Sequence, residues 1–339
     1  MRKRGRAFAA AILALAAVGA EAQTQTETQT QTLEEYRAFR EARFADVQRA
    51  NPAMQARAAE IKAQTAALVS AAPRRLAGVD APPVLWRAAT ILPVLYDTPV
   101  APRMVIVPAG EFTLSGAAPR RVRIGYPLAV SMFPVTFAEF SLFADQTGYR
   151  AAGACVMPGE SGGGPQSGAR SWRQPGFAQT FRSPAVCIAL ADAQAYARWL
   201  SGKTGHRYRL LSDAEYEYAL RAGTASAFWW GEDAQGACRE SAATPGQKPA
   251  APVVCQPELR TAELGQSRPN GFGLYDMAGN VASWTADCWT GAAAKRKDCR
   301  HRVVRGASWA TQDYRSDARR KEPAEAVRAD LGFRIAREL

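Results

Sequence analysis

Asn270-Gly-Phe-Gly-Leu-Tyr-Asp-Met-Ala-Gly-Asn-Val-Ala-Ser-Trp284 crowds three glycines and two asparagines into fifteen residues, yet it is not a solvent-loving loop. Phe272, Leu274, Tyr275, Met277, Val281 and Trp284 interleave with the turn formers. A backbone that turns repeatedly while carrying such side chains is expected to be buried and irregular. It has no ladder to satisfy its N–H and C=O groups, so side chains, water or an ion must do so. Asp276 and Asn280 are suited to that work. About twenty residues on, Arg302-Val-Val-Arg-Gly-Ala-Ser-Trp309 is a second such stretch, and the two mark the centre of one domain.

Working outward, short strands and three helices precede this centre. Met104-Val-Ile-Val107 is an apolar strand, and Pro108-Ala-Gly110 turns it. Phe112 and Leu114 alternate in the next strand; Val122 and Ile124 alternate with arginines in a third. Thr136 and Glu139 form a capping box ahead of Phe137, Phe140 and Ala144, and Gly148 ends that helix. A second helix covers roughly 191–201, with Ala193, Tyr196, Ala197 and Leu200 on one face. Ser212 and Glu215 make another capping box, with Tyr216, Ala219 and Leu220 inward and the end at Gly223. No helix is expected from there to the C-terminus, only short strands and loops closing on Gly332-Phe-Arg-Ile335.

Farther upstream the composition changes. Arg2, Lys3, Arg4 and Arg6, the apolar run Ala7–Val18 and the small-x-small Ala20-Glu-Ala22 read as a signal peptide over 1–22. Cleavage near Ala22 places the mature chain in the periplasm or outside the cell. Residues 23–32 are a low-complexity Gln/Thr leader. Residues 33–103 read as a helical extension, broken at Pro52, and a proline-punctuated linker. Within it Met54, Ala58, Ile61, Thr65 and Leu68 line one helical face. The organised domain runs over 104–339.

The formal charge of +12 falls to about +9 without the basic head. Scattered basic residues in an exported chain read as an ordinary basic surface, with no nucleic-acid partner. After the head no apolar run reaches the ~18 residues that a membrane helix needs. Six cysteines, Cys155, Cys187, Cys238, Cys255, Cys288 and Cys299, are an even set for an oxidising compartment. They allow about fifteen pairings; nearest-neighbour bridges (155–187, 238–255, 288–299) are the simplest, each falling in loop-rich sequence. No C-x-x-C spacing supports a thiolate metal site. His206 and His301 sit in unrelated contexts, and no phosphate-cradling glycine loop is present.

Taken together, the two central stretches, Val105-Pro108-Gly110-Phe112, Pro134-Val-Thr136, Asp192–Leu200, Leu211–Ala219 and the Gly332-Phe-Arg ending resemble the formylglycine-generating enzyme family, also called sulfatase-modifying factor. The resemblance covers about 104–337. It implies an α+β, C-type-lectin-like formylglycine-generating-enzyme fold, low in regular secondary structure, here with an N-terminal helical extension.

Oxidases of that family bind copper(I) through two cysteines after an active-site serine. By resemblance the serine is Ser308, and the two cysteine positions hold Thr311 and Ser316. Neutral hydroxyls are poor ligands for copper(I), and Ser308 has no base beside it in sequence. Formylglycine-generating activity and copper are therefore not expected. The resemblance also implies a calcium site at Asp276 and the carbonyls of Gly279 and Val281. Ser283 stands where the family has a glutamate ligand, and Ala282 where it has tryptophan. The expectation is an exported non-oxidase module that binds a peptide, protein or glycan through loops 151–183, 285–300 and 308–320. The alternative is a divergent oxidoreductase using another metal or cofactor at the same cleft.

Overall fold

The computed structural model describes residues 94–95, 97–98, 101–115, 119–151, 153–160, 170–234, 236, 260–289, 298–311 and 313–339. The signal segment, the leader, the helices expected over 33–71, Cys238 and Cys255 lie outside the described residues.

Among the described residues three helices form, two of them where the capping signals place them. In α1 (Phe137–Thr147), Thr136 Oγ1 accepts from Glu139 N at 3.0 Å, and Glu139 reaches back to Thr136 N at 2.9 Å. In α3 (Asp213–Arg221), Ser212 and Glu215 do the same at 3.1 and 2.8 Å. Each such cap stabilises by about 1 kcal/mol. α3 stops two residues before Gly223, because Ala222 itself takes the left-handed cap at φ 47°. Helix α2 (Leu190–Thr204) runs three residues past its expected end to a left-handed Gly205. Ser201 and Thr204 donate back to Ala197 O and Leu200 O, occupying carbonyls in that last turn.

The strands make two sheets and a hairpin. β1 (Val94–Leu95), β2 (Met104–Val107), β5 (Leu128–Ser131), β11 (Ile335–Glu338) and β6 (Tyr208–Leu210) form an antiparallel sheet in the order β1-β2-β5-β11-β6. β3 (Gly110–Leu114) pairs with β4 (Arg120–Ile124). The second sheet has the order β10-β7-β8-β9, from β7 (Ala282–Trp289), β8 (Asp298–Arg305), β9 (Arg319–Pro323) and β10 (Leu331–Phe333). β7 and β8 are eight residues each, longer than the short strands expected there. Their pairing is interrupted by register shifts at Cys288, which blur the alternation that reveals a strand in sequence.

β10 lies parallel to β7, with Gly332 opposite Ser283. A Cβ on Gly332 would come within 2.3 Å of Ala185 O, so only glycine permits this approach. Phe140, Tyr196, Phe333 and Trp172 pack in edge and stacked contacts between α1, α2 and the second sheet, and Trp284 donates its indole N–H to Ile188 O. Disulfides Cys155–Cys187 and Cys288–Cys299 join two of the expected pairs, at Cα separations of 5.3 and 4.5 Å. Each is worth about 2–4 kcal/mol.

Candidate functional site

The stretch 270–284 is buried almost throughout and has no strand pairing before Ala282. Its chief organiser is Asn270, which sequence reading passed over. Its Oδ1 accepts from the amides of Phe272 and Leu274, while its Nδ2 donates to Ala219 O and Leu220 O at the end of α3. Asn280 does the expected work on another segment, exchanging two hydrogen bonds with the Ala262 backbone. Asp276 and Asn280 both take positive φ, 52° and 61°, a conformation their short polar side chains tolerate. Trp309 N donates to Asn280 O and Gly279 N to Ala307 O, which joins this knot to the second central stretch.

The proposed calcium ligands sit inside the knot. Asp276 Oδ1 accepts from Ser267 at 2.5 Å, and its Oδ2 has no hydrogen-bond partner. Burial pushes its carboxyl up, against the lowering effects of Ser267 and of Arg334. Ser283, at the position of the family glutamate, is buried with its Oγ unpartnered. The Gly279 carbonyl already accepts from Val281 N at 2.8 Å. Calcium takes six to eight oxygens and draws its affinity from carboxylates; here one carboxylate stands near a fully buried guanidinium. A divalent cation would leave that buried cluster with a large uncompensated positive charge. The donor set does not fit calcium. Among the described residues, no three His, Cys, Asp or Glu side chains gather where a metal ion could sit.

The family active-site positions follow β8. Gly306 turns the chain at φ 74°, and a Cβ there would lie 2.8 Å from Tyr216 Oη and 2.9 Å from Met277 O. Ser308 is wholly buried and caps a tight turn, its Oγ accepting from the amides of Ala310 and Thr311. Thr311 Oγ1 accepts from Ser308 N at 3.0 Å and lies 3.1 Å from Ser308 Oγ. Contrary to the expectation of no base nearby, Asp330 Oδ2 lies 2.8 Å from Ser308 Oγ.

That carboxylate is nevertheless a poor base. Burial would raise its pKa, but Arg320 at 2.9 Å and Arg328 at 3.1 Å outweigh burial and hold it below the ordinary range. A locked anion positions a hydroxyl without taking its proton. Ser316 is buried elsewhere in the loop: its N–H donates to Ala227 O, and its Oγ has no partner. So the structure joins Ser308 to Thr311 directly and brings Ser316 into hydrogen bonding with neither. The four described cysteines are all in disulfides, so no thiolate among them is free for copper(I).

Beneath this turn, Arg305 is fully buried and bonded to Asp213 at 2.5 Å and Glu217 at 2.7 Å. Arg221 pairs with Glu217 and Arg319 with Asp213, so the network extends from α3 to β9. Neither Arg305 nor Asp330 was a candidate in sequence. The signal for Asp330 was an acid two residues before the closing Gly332-Phe-Arg; for Arg305, an arginine in an otherwise apolar Val-Val-Arg-Gly run. His206 lies in a separate cluster, 3.9 Å from Asp97, and His301 is on β8 opposite Pro323.

Comparison with known proteins agrees with this architecture. Residues 94–339 match the FGE-sulfatase family, the sulfatase-modifying factor enzyme 1-like domain. The chain is 30% identical over 291 residues to the formylglycine-generating enzyme of Thermomonospora curvata, covering 70% of this chain and 94% of that one. It is 27% identical over 277 residues to a Mus musculus protein named inactive C-alpha-formylglycine-generating enzyme 2, covering 69% and 85%. The solved structure of PvdO from Pseudomonas aeruginosa is similar with a TM-score of 0.57 and 32% identity, over 73% of this chain and 98% of that one. With its α+β fold, its two central stretches and this match over residues 94–339, the chain belongs to the sulfatase-modifying factor family, whose members include the formylglycine-generating enzymes.

Proposed function

We propose that this protein is an exported, non-oxidase member of its family that binds a peptide, protein or glycan ligand. The observation that carries the reading is the state of the active-site positions. Thr311 and Ser316 offer hydroxyls where the family oxidases place thiolates, and Ser308 is consumed as a turn cap held by an ionised Asp330. The similarity to a relative named inactive supports the same reading. Export is supported by the basic-apolar-small head and by two disulfides, which persist in oxidising compartments. Among the described residues no helix is long and apolar enough to cross a membrane. The binding surface is assigned to the loops of 151–183, 285–300 and 308–320, and the domain to 104–339 after the signal segment, leader and helical extension.

The test is a copper(I) titration coupled to an oxidase assay on a cysteine-containing peptide. The expected result is no stoichiometric copper and no turnover; either one overturns the reading. We also propose that the knot around Asp276 is held without calcium. Thermal unfolding in calcium and in chelator should give the same midpoint for the native chain, and a calcium-dependent rise should appear only in Ser283→Glu, which returns the second carboxylate.

A further inference from the structure

An open groove of about 520 Å³ lies in the loop between α1 and α2, lined by Arg170, Arg173, Gln174, Gly176, Phe177 and Gln179, with Ala178 between the last two. Its volume lies within the ~300–1,000 Å³ range of ligand sites. Two features of its wall describe a ligand.

The first is charge. Arg170 and Arg173 both face it, each engaged by a single half-exposed carboxylate, Glu160 at 2.6 Å and Asp145 at 2.5 Å. A guanidinium has five N–H donors in a fixed fork, and these two pairs use only part of that capacity. Ion pairs made by carboxylates this exposed are weak, so an incoming carboxylate can share or replace Glu160 and Asp145 at small cost. The second is an aromatic surface. Phe177 is half-buried and meets Trp309, next to Ser308, edge-on at 6.0 Å, so the groove adjoins the family active-site turn. Arg173 stacks over Trp172 at 4.2 Å, which holds its guanidinium in place.

The wall thus offers guanidinium donors and an aromatic face. Gly176, at φ 102°, makes the arrangement possible, because a Cβ there would lie 3.0 Å from Arg170 Nε.

We infer that this groove is the ligand-recognition subsite of the binding module, and that it takes an acidic peptide segment with an apolar side chain beside its carboxylate. The inference rests on the binding reading above and names the ligand class for it. The ligand carboxylate meets Arg170 and Arg173, and its apolar group covers Phe177. The formal charge of +12, about +9 without the basic head, favours the approach of an acidic partner.

The test uses the full exported chain and two acetylated, amidated pentapeptides, one with two glutamates flanking a phenylalanine and one with glutamines in their place. In titration calorimetry at low salt, the glutamate peptide should bind at least tenfold more tightly, and raising ionic strength should weaken it. Arg173→Gln, a change at a half-exposed position, should reduce that binding at least tenfold with the circular dichroism unchanged. Arg207→Gln, which also removes an exposed arginine paired with a glutamate, should leave it intact. Equal binding of both peptides, or binding indifferent to Arg173→Gln, overturns the subsite. Should the glutamate peptide fail to bind while the copper and oxidase assays stay negative, the subsite falls and the non-oxidase reading stands.

Discussion

Arg305 and Arg334 are both wholly buried, and they are compensated in opposite ways. Arg305 holds two carboxylates, Asp213 and Glu217, in direct contact, with carbonyls of Ser316 and Ala318 at its remaining nitrogen. Arg334 donates to two carbonyls, Ser131 O and Tyr275 O, has an unpartnered Nε, and touches no carboxylate. Tyr216 and Asp276 act on it through space, against the effect of burial. Burial nevertheless pushes the Arg334 pKa below its ordinary value. Under the turn at Gly306–Thr311, then, the charge is neutralised by carboxylates built into α3. At the knot it is offset loosely, by Asp276 acting through space and by the carbonyls of Ser131 and Tyr275. The first arrangement holds a loop in one shape; the second ties the knot to β5 through the carbonyls of Ser131 and Tyr275.

Arg305→Met should break the comparison on its tight side. Removing it takes away the buried cation that Asp213 and Glu217 share and leaves each with one remaining arginine, Arg319 and Arg221, so the cost should approach but not exceed about 3–5 kcal/mol, read as a lower urea midpoint. Gly306→Ala comes next. Its left-handed φ and its contacts with Tyr216 Oη and Met277 O should cost about 2–3 kcal/mol in the same measurement. On the loose side, Asp276→Asn keeps an acceptor for Ser267 and removes a carboxylate that burial disfavours, so stability should change by less than about 1 kcal/mol. A loss as large as that of Arg305→Met would show that Arg334 depends on Asp276 as Arg305 depends on its two acids.

The smallest effect is one of pH. Burial and Arg337 push the His206 imidazole below its ordinary range, against the opposing pull of Asp97. A lowered folded value means that the unfolded chain takes up the proton first. Its contribution to stability is therefore complete above about pH 6.5 and lost as pH falls through the folded value. His206→Gln should flatten that acid-side slope slightly, since the ring is partly exposed, and unfolding midpoints across pH 5–7.5 would measure it.

Local patterns made the helices legible. Thr136–Glu139 and Ser212–Glu215 are short-range chemistry, and the structure closes both boxes. The burial of 270–284 was legible too, from apolar residues set among turn formers, as were the two cysteine pairs that the structure joins. What sequence hid was long-range pairing of charge. Asp330 meets Ser308 because β10 lies parallel to β7, and Arg305 meets Glu217 because β8 crosses behind α3; nothing local marks either. Asn270 was passed over for the opposite reason. Followed by glycine, it looked like an ordinary turn residue, and two of its four hydrogen bonds depend on the end of α3 being close by.

The place of β11 has a kinetic consequence. This strand, Ile335–Glu338, lies between β5 and β6, pairing Ala336 with Val130 on one side and Arg209 on the other. A chain still missing these residues can form β2 and β5 but leaves β5 and β6 with bare, unjoined edges. The first sheet can close only after synthesis has passed residue 338, and its decisive contact spans the length of the domain. Contacts of such separation slow folding because loop closure precedes any gain from pairing. Until then the open edges are the segments most exposed to pairing with another chain.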